Sequence, residues 1–361
     1  MESSSHRTTN HARPSWLVDD LGPLGVPYNK PEDFAVPPSE SDGILFTEDH
    51  INKGYNVKEI AHGVYWVTSG WYDCMFIRTG NGVVAVDAPP ALGENLLSAI
   101  EEVTDEPVTH MIYSHWHADH VGAASIFGSK IKRIGHEKTR ELLERFPDPD
   151  RIPPTETFTR DSTLDVNGVK IELSYKGQNH CEGNIFIYVP EPKVLAAIDI
   201  ASPGWVTFRD CDSSESLNGY VEAFDHILAY DFKTLISGHV SKTGGRADVI
   251  EGREYLHDLV GLSREALETI PVQYFTKQLT GKQRANFRWA EENYFSACVN
   301  WVTKRMLEKT DANGRTWAQR LSGADVMTKH NAYFTLEKTR LEKNHNGYVK
   351  RGNIHPPKYF V

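Results

Sequence analysis

Four side chains able to bind a metal, His115, His117, Asp119 and His120, fall within six consecutive positions of the stretch SHWHADHVG at 114–122. The chain has 16 histidines in 361 residues, so chance pairs are expected. Three imidazoles and a carboxylate in one hexapeptide are a different matter, because buried together without a cation they would leave donors and acceptors unsatisfied. The preceding run 108–114 is short, apolar and rich in strand formers, so His115 and His117 sit just past a strand end and share one face at period two. One metal can take both. Residues 118–124 then turn toward a helix, which aims Asp119 and His120 elsewhere, at a second metal. The zincin pattern, with histidines four apart on a helix around a glutamate, is absent.

Catalytic zinc sites use three or more protein ligands and leave a position open for water, so this hexapeptide needs distant partners. The sequence offers three. His180 lies in the polar, glycine-punctuated loop 175–184, Asp199 ends the apolar run 194–199, and His239 follows the apolar run 234–237 and a glycine. Two cations held by such a set would lower the pKa of a bound water toward neutrality and polarise an electrophile beside it, which is hydrolytic chemistry. Asp119, between the histidine pairs, is placed to orient that water and to pass its proton on.

Taken in order, His115, His117, Asp119, His120, His180, Asp199 and His239 resemble the ligand series of the metallo-β-lactamase superfamily, with its H-x-H-x-D-H signature. The resemblance covers about residues 56–262. It implies an α/β fold, an αββα sandwich, with two Zn2+ ions, Mn2+ or iron being the alternatives. The strand-like 82–86 ending in Asp87 also resembles the family, and implies that Asp87 orients the ligands from behind. Aspartate at 199, where the family's β-lactamases place cysteine or serine, points to lactone, ester or thioester hydrolysis. Sulfate ester, β-lactam and carbon–halogen cleavage remain as variants on the same site. The rival reading is a mononuclear iron oxygenase resembling the persulfide dioxygenase branch. Cys181, beside His180, reads as structural.

The elements that must position these ligands alternate along the chain. Strand-like runs at 57–67, 73–78 and 82–86 precede a helix at 92–103, then strand 109–114, helix 120–128, strand 131–135 and helix 137–145. Strands near 163–175, 184–189 and 194–198 lead to helix 215–229, strand 234–237 and helix 246–262. Such interleaving implies sheets between helical layers. Residues 1–55, with Pro14, Pro23, Pro27, Pro31, Pro37 and Pro38, read as an extended N-terminal arm, and 56–262 as the catalytic domain. Residues 263–361 read as a helical C-terminal extension, amphipathic over 282–309 and 323–342, that packs on the core, caps the site or forms a dimer contact.

Composition narrows the function classes. The formal charge is −10, with 39 basic and 49 acidic residues, which speaks against a nucleic-acid partner. The start lacks the apolar core of a secretory signal and no run suits a membrane span. Cys74, Cys181, Cys211 and Cys298 form no C-x-x-C pair. A cytoplasmic enzyme acting on a small molecule, as a homodimer, is the resulting expectation. The aromatics Trp71-Tyr72 on an early loop, and Trp205 with Phe208 just after Asp199, suggest a fairly apolar or aromatic substrate, with Trp71, Trp205 and Phe208 as the expected contacts. Trp116 reads as core, Arg209 and Lys242 as surface charges, and His136 as structural.

Overall fold

The computed structural model describes residues 48–277 and 279–342. The expected arm falls almost entirely outside these residues, as does the tail beyond 342.

Two sheets face each other. The first has seven strands in chain order: β1 (Asn56–Ala61), β2 (Val64–Thr68), β3 (Asp73–Arg78), β4 (Val83–Val86), β5 (Val108–Ile112), β6 (Lys132–His136) and β7 (Glu156–Phe158). It is antiparallel through β4 and parallel from β4 to β7. The second runs β12-β11-β10-β9-β8, comprising β8 (Asp161–Val166), β9 (Val169–Ser174), β10 (Phe186–Val189), β11 (Val194–Ala196) and β12 (Thr234–Ile236). Only its β11–β12 pair is parallel.

Strand alternation explains the layering. Val64, Trp66, Met75, Ile77, Val84 and Val86 point between the sheets and meet Ile171, Leu173, Ile187, Val194 and Ala196 of the second sheet. Their neighbours Tyr65, Val67, Phe76, Val83 and Ala85 point outward onto Leu96, Ala99 and Ile100 of helix Asn95–Val103 and Leu143 of helix Glu137–Arg145. The outer face of the second sheet, through Phe186, Leu195 and Leu235, is covered by Tyr220, Phe224 and Ile227 of helix Leu217–Leu228 and by Leu256 and Leu259 of helix Arg246–Thr269. This is the αββα sandwich that the alternation implies.

The differences from the expected elements have local causes. The run 57–67 is a hairpin, broken at Gly63, whose φ of 72° suits a tight turn. The run 163–175 is likewise two strands, turning at Asn167-Gly168. Helix 120–128 is a short helix, Ala118–Val121, followed by a 3-10 turn, Ala124–Phe127. Strand β7 is three residues long and carries no periodic signal. The helix expected over 246–262 continues to Thr269, through the boundary drawn at 262.

The extension shares the outer core. Tyr294, Cys298, Val302 and Met306 of helix Phe287–Glu308, and Ala332 and Leu336 of helix Ala324–Glu342, join the same apolar cluster as Leu195 and Leu235. From Ala290 onward its amphipathic stripe is therefore buried within this chain, while Phe287 stays exposed. Among the described residues no helix is long and apolar enough to cross a membrane.

Candidate metal centre

The site forms where strands end. After β5, the Ser114 N–H donates to Asp87 Oδ1 at 2.8 Å, and the Ser114 hydroxyl lies 2.8 Å from His115 Nδ1, leaving His115 Nε2 to face inward. Ala88 N–H donates to the His120 carbonyl at 2.8 Å, tying the hexapeptide to the end of β4. Asp87 and Asp199 leave their strands in left-handed conformation, φ 63° and 62°, a region that aspartate tolerates better than most residues. Gly238 separates β12 from His239 at φ 90°, and a Cβ there would come within 2.9 Å of His120 Cε1 and 3.1 Å of Asp199 Oδ1.

All seven expected ligands converge, with Asp199 at the centre. Its Oδ2 lies 3.0 Å from His120 Nε2 and 3.4 Å from Nε2 of both His115 and His180; its Oδ1 lies 3.2 Å from His239 Nε2. His180 Nε2 stands 2.9 Å from His117 Nδ1, and His120 Nε2 3.2 Å from His239 Nε2. Asp119 Oδ2 is 3.5 Å from His120 Nε2 and 3.9 Å from His239 Nε2, on a half-exposed side chain. The donor atoms divide into one group from His115, His117 and His180, another from Asp119, His120 and His239, and a third from His115, His120 and Asp199. Cys181 Sγ also lies with the first group, closer than the structural reading anticipated.

The electrostatics suit cations. Burial pushes the imidazoles of His115 and His180 down to about 3 and lowers that of His117, so all three offer lone pairs at neutral pH. Burial acts the same way on His120, but the Asp199 carboxylate overrides it and raises His120 to about 10; His239 is raised by the same partner. Asp199, although buried, is held well below the usual carboxylate range by these histidines. Burial lifts Asp73 to about 8 and Asp87 to about 6. The Asp199 carboxylate thus favours positive charge among these histidines, which a dication would supply. Facing imidazole nitrogens 2.9 and 3.2 Å apart, and the buried His115 Nε2 and Asp199 Oδ1 without a well-formed hydrogen bond, fit bound metal. Imidazole with carboxylate is a donor set for zinc, iron or manganese.

Around the ligands the expected contacts divide. The Phe208 ring packs 5.5 Å from His239. Trp205 lies one ring behind, 6.0 Å from Phe208, against Gly323 at the start of the last helix. Trp71 is 81 % exposed, whereas the ring of its neighbour Tyr72 sits 4.7 Å from His239 and 5.6 Å from His120. Tyr72 is set there by its antiparallel bridge to His239, a pairing across the fold that no local pattern announces. Trp116 is half-buried, stacked on Phe146 and edge-on to His117. Lys242, expected as a surface charge, is buried and pairs with Asp248 at 3.4 Å, and His136 caps helix Glu137–Arg145 and lies 3.0 Å from the Thr159 carbonyl.

Two residues that the motifs do not point to also stand at the site. Asp73, fully buried at the head of β3, accepts from Trp66 Nε1 at 2.7 Å and senses His239 and His120. Asp212 belongs to a left-handed turn in which Asp210, Cys211, Asp212 and Ser213 all have φ between 51° and 59°. Each such residue costs about 1–2 kcal/mol, and strain of this kind tends to persist at functional sites. Burial and the Asp199 charge raise Asp212 to about 8.

Comparison with known proteins gives a consistent picture. The sequence profile of the metallo-β-lactamase superfamily matches residues 72–239. The α subunit of a 2,4-dinitroanisole O-demethylase from Nocardioides sp. (strain JS1661) is 30 % identical over 152 residues, 40 % of this chain and 46 % of that protein. A type 2 metallo-β-lactamase from Bacillus sp. (strain 170) is 28 % identical over 125 residues, 34 % of this chain and 48 % of its own length. The matched stretch therefore spans about half the length of these relatives. Among solved structures, a metallo-β-lactamase from Pontibacter korlensis superimposes with a TM-score of 0.50 at 20 % identity, over 56 % of this chain and 99 % of that one. At that identity the likeness is one of fold.

Proposed function

We propose, from the match of residues 72–239 to the metallo-β-lactamase superfamily, that the chain is a dinuclear zinc hydrolase of small, fairly apolar or aromatic substrates. The observation that carries the reading is the Asp199 carboxylate, set within 3.0–3.4 Å of four histidine nitrogens drawn from both ligand groups. His115, His117 and His180 would hold one ion and Asp119, His120 and His239 the other, with Asp199 between them. Two cations there would lower the pKa of a shared water into the neutral range and polarise the electrophile beside it.

The protein's own groups do the rest. Asp119, half-exposed to the cleft, orients the water and carries its proton toward the leaving group. Phe208 and Tyr72 flank His239 and offer ring faces to an apolar substrate. Asp87 steadies the hexapeptide through Ser114. Lactones, esters and thioesters are the first substrates to expect. The similarity to a subunit named for O-demethylation of 2,4-dinitroanisole supports adding activated aryl ethers. The arm at 1–55, catalytic part at 56–262 and extension at 263–361, a homodimer, and a cytoplasmic location belong to the same proposal.

The test is a substrate panel on zinc-replete protein: lactone, ester, thioester, sulfate ester, phosphodiester, β-lactam and 2,4-dinitroanisole. Asp119→Ala should lower kcat by about 10²–10⁴-fold, and His117→Ala should also reduce bound zinc. Full hydrolysis by both folded variants would refute the mechanism. A second reading rests on His115, His120 and Asp199, a two-histidine, one-carboxylate set of the kind that holds non-haem iron. Purified protein containing one iron, consuming oxygen and hydrolysing nothing, would put the oxygenase first.

A further inference from the structure

Between the helix that ends at Thr269 and the one that begins at Phe287, the character of the extension changes. Positions 269 to 290 hold Lys277, Lys282, Arg284 and Arg288 and no acidic residue, within a chain whose formal charge is −10. The backbone there is regular, a 3-10 turn over Gly281–Asn286 running into helix Phe287–Glu308, yet every residue from 280 to 289 is exposed. Three large rings on this stretch stand in water: Tyr274 is 55 % exposed, Phe287 39 % and Trp289 62 %. One exposed ring is ordinary on a protein surface, but three gathered on one short stretch mark an interaction site. The stretch is anchored from beneath. Helix Gln273–Thr276 packs along helix Phe287–Glu308, Phe275 lies 5.7 Å from Tyr294, and Ala290 and Tyr294 are buried.

The cations are interleaved with the rings. Lys277 Nζ lies 4.7 Å over the Tyr274 ring, and Arg288 lies 5.0 Å over Phe287 while pairing with Glu291 at 2.6 Å. Lys282 and Arg284, on the exposed turn between them, form no ion pair among the described residues. A protein interface gathers its apolar residues into a core and leaves charge at the rim, whereas here each ring has a cation beside it. Rings with an apolar body, set among long basic stems whose heads reach water, match the headgroup level of a bilayer, and acidic headgroups attract the cations. We propose that Tyr274, Lys277, Lys282, Arg284, Phe287 and Trp289 form a docking surface for an anionic lipid membrane, the cations meeting lipid phosphates and carboxylates and the rings entering the headgroup layer. The contact is peripheral and reversible, and it does not depend on the reading of the histidine cluster as a metal centre.

The experiment sediments the full chain with vesicles of phosphatidylcholine alone or of phosphatidylcholine and phosphatidylserine in equal parts. The protein should partition onto the serine-lipid vesicles, stay free of the others, and be released by high salt. Lys282→Glu with Arg284→Glu should lower that partitioning by about tenfold or more, and Trp289→Ala should lower it severalfold. All three side chains are exposed, so these variants keep the fold, which a thermal melt verifies. Lys170→Glu makes the same change of charge on β9, outside this surface, and should leave partitioning within about twofold, less than the worth of one cation at the membrane. Failure to bind the serine-lipid vesicles overturns the inference, as does equal binding to both kinds or an unmoved partition in the double variant. If the double substitution instead turns a dimer into a monomer, the surface belongs to a second copy of the chain and the inference falls as well.

Discussion

The two walls of the cleft are held by different means. The ligand wall hangs from strand ends: His115 follows β5, Asp199 follows β11 and His239 follows β12, each placed by ladder hydrogen bonds inside a buried sandwich. The opposite wall, Phe208 to Ser216, has no ladder. It is braced by Asn331, 120 positions further along the chain from Cys211. The contrast teaches that the chemistry of this site is written into local geometry, while the shape of its mouth depends on a distant helix. The mouth can then change while the wall that carries the histidines stays the same.

The strongest way to break that contrast is to disturb the ligand wall by one methyl group. Gly238→Ala places a Cβ 2.5 Å from Ile198 Cγ2 and 2.9 Å from His120 Cε1, at a φ of 90°. Displacing reacting groups by an ångström can cost about 10²-fold in rate, so activity should fall at least that far and bound metal with it. Gly281→Ala, in the extension, is the matched control. Its φ is 54° and its Cβ would meet nothing within 4 Å, so it should cost only the backbone penalty of about 1 kcal/mol, with zinc content and kcat preserved. Equal losses in both variants would mean that the two regions are not separable.

A smaller effect concerns what charges the ligand wall needs. Without metal, Asp73, lifted to about 8 by burial, and His120, raised to about 10 against its burial by Asp199, both hold protons in the folded state that the unfolded chain releases at lower pH. Raised folded-state values give stability that is present below the unfolded pKa and is lost as pH climbs through the folded one. For Asp73 the window runs from about 4 to about 8, and for His120 from about 6.5 upward. Chelated protein should therefore lose stability between pH 7 and pH 8, by about 1.4 kcal/mol per unit for each proton held. Zinc-loaded protein should be nearly flat over the same range, because the cations replace those protons. Thermal melts of both forms at the two pH values decide the matter; parallel slopes would show that the protons are not standing in for metal.

How far each wall was legible in the sequence follows from the same difference. His180, Asp199 and His239 could be found because each sits in or after a glycine-marked loop or at the end of an apolar run, a signal readable within ten residues. The sandwich was legible because β2, β3 and β4 are buried on both faces. The turn at 210–213 was not, since aspartate tolerates left-handed backbone singly, while four such residues in a row stand only where Asn331 and Thr335 hold Cys211. Asp212 was invisible for the same reason. The continuation of helix Arg246–Thr269 beyond 262 depends on Ala266 and Leu267 finding the extension's core, a contact that no local pattern announces.

The smallest expected effect falls at the outer rim, where Trp71 and Tyr72 are adjacent in the chain but unequal in position. Trp71 is 81 % exposed, while Tyr72 forms an antiparallel bridge with His239 and lays its ring against His120 and His239. An exposed tryptophan has little packing to lose, so Trp71→Ala should change stability by no more than about 0.5 kcal/mol. On the best substrate of the panel, kcat and KM should stay within about twofold, under half a kcal/mol. Tyr72→Ala should raise KM several times more, because it removes a ring at the metal-facing surface. If Trp71→Ala instead raises KM by tenfold or more while leaving kcat and zinc content alone, substrate binding extends past Tyr72 onto the surface. The mouth would then have two parts: an inner one set by Tyr72 and Phe208, and an outer one in which Trp71 closes only on a bound substrate.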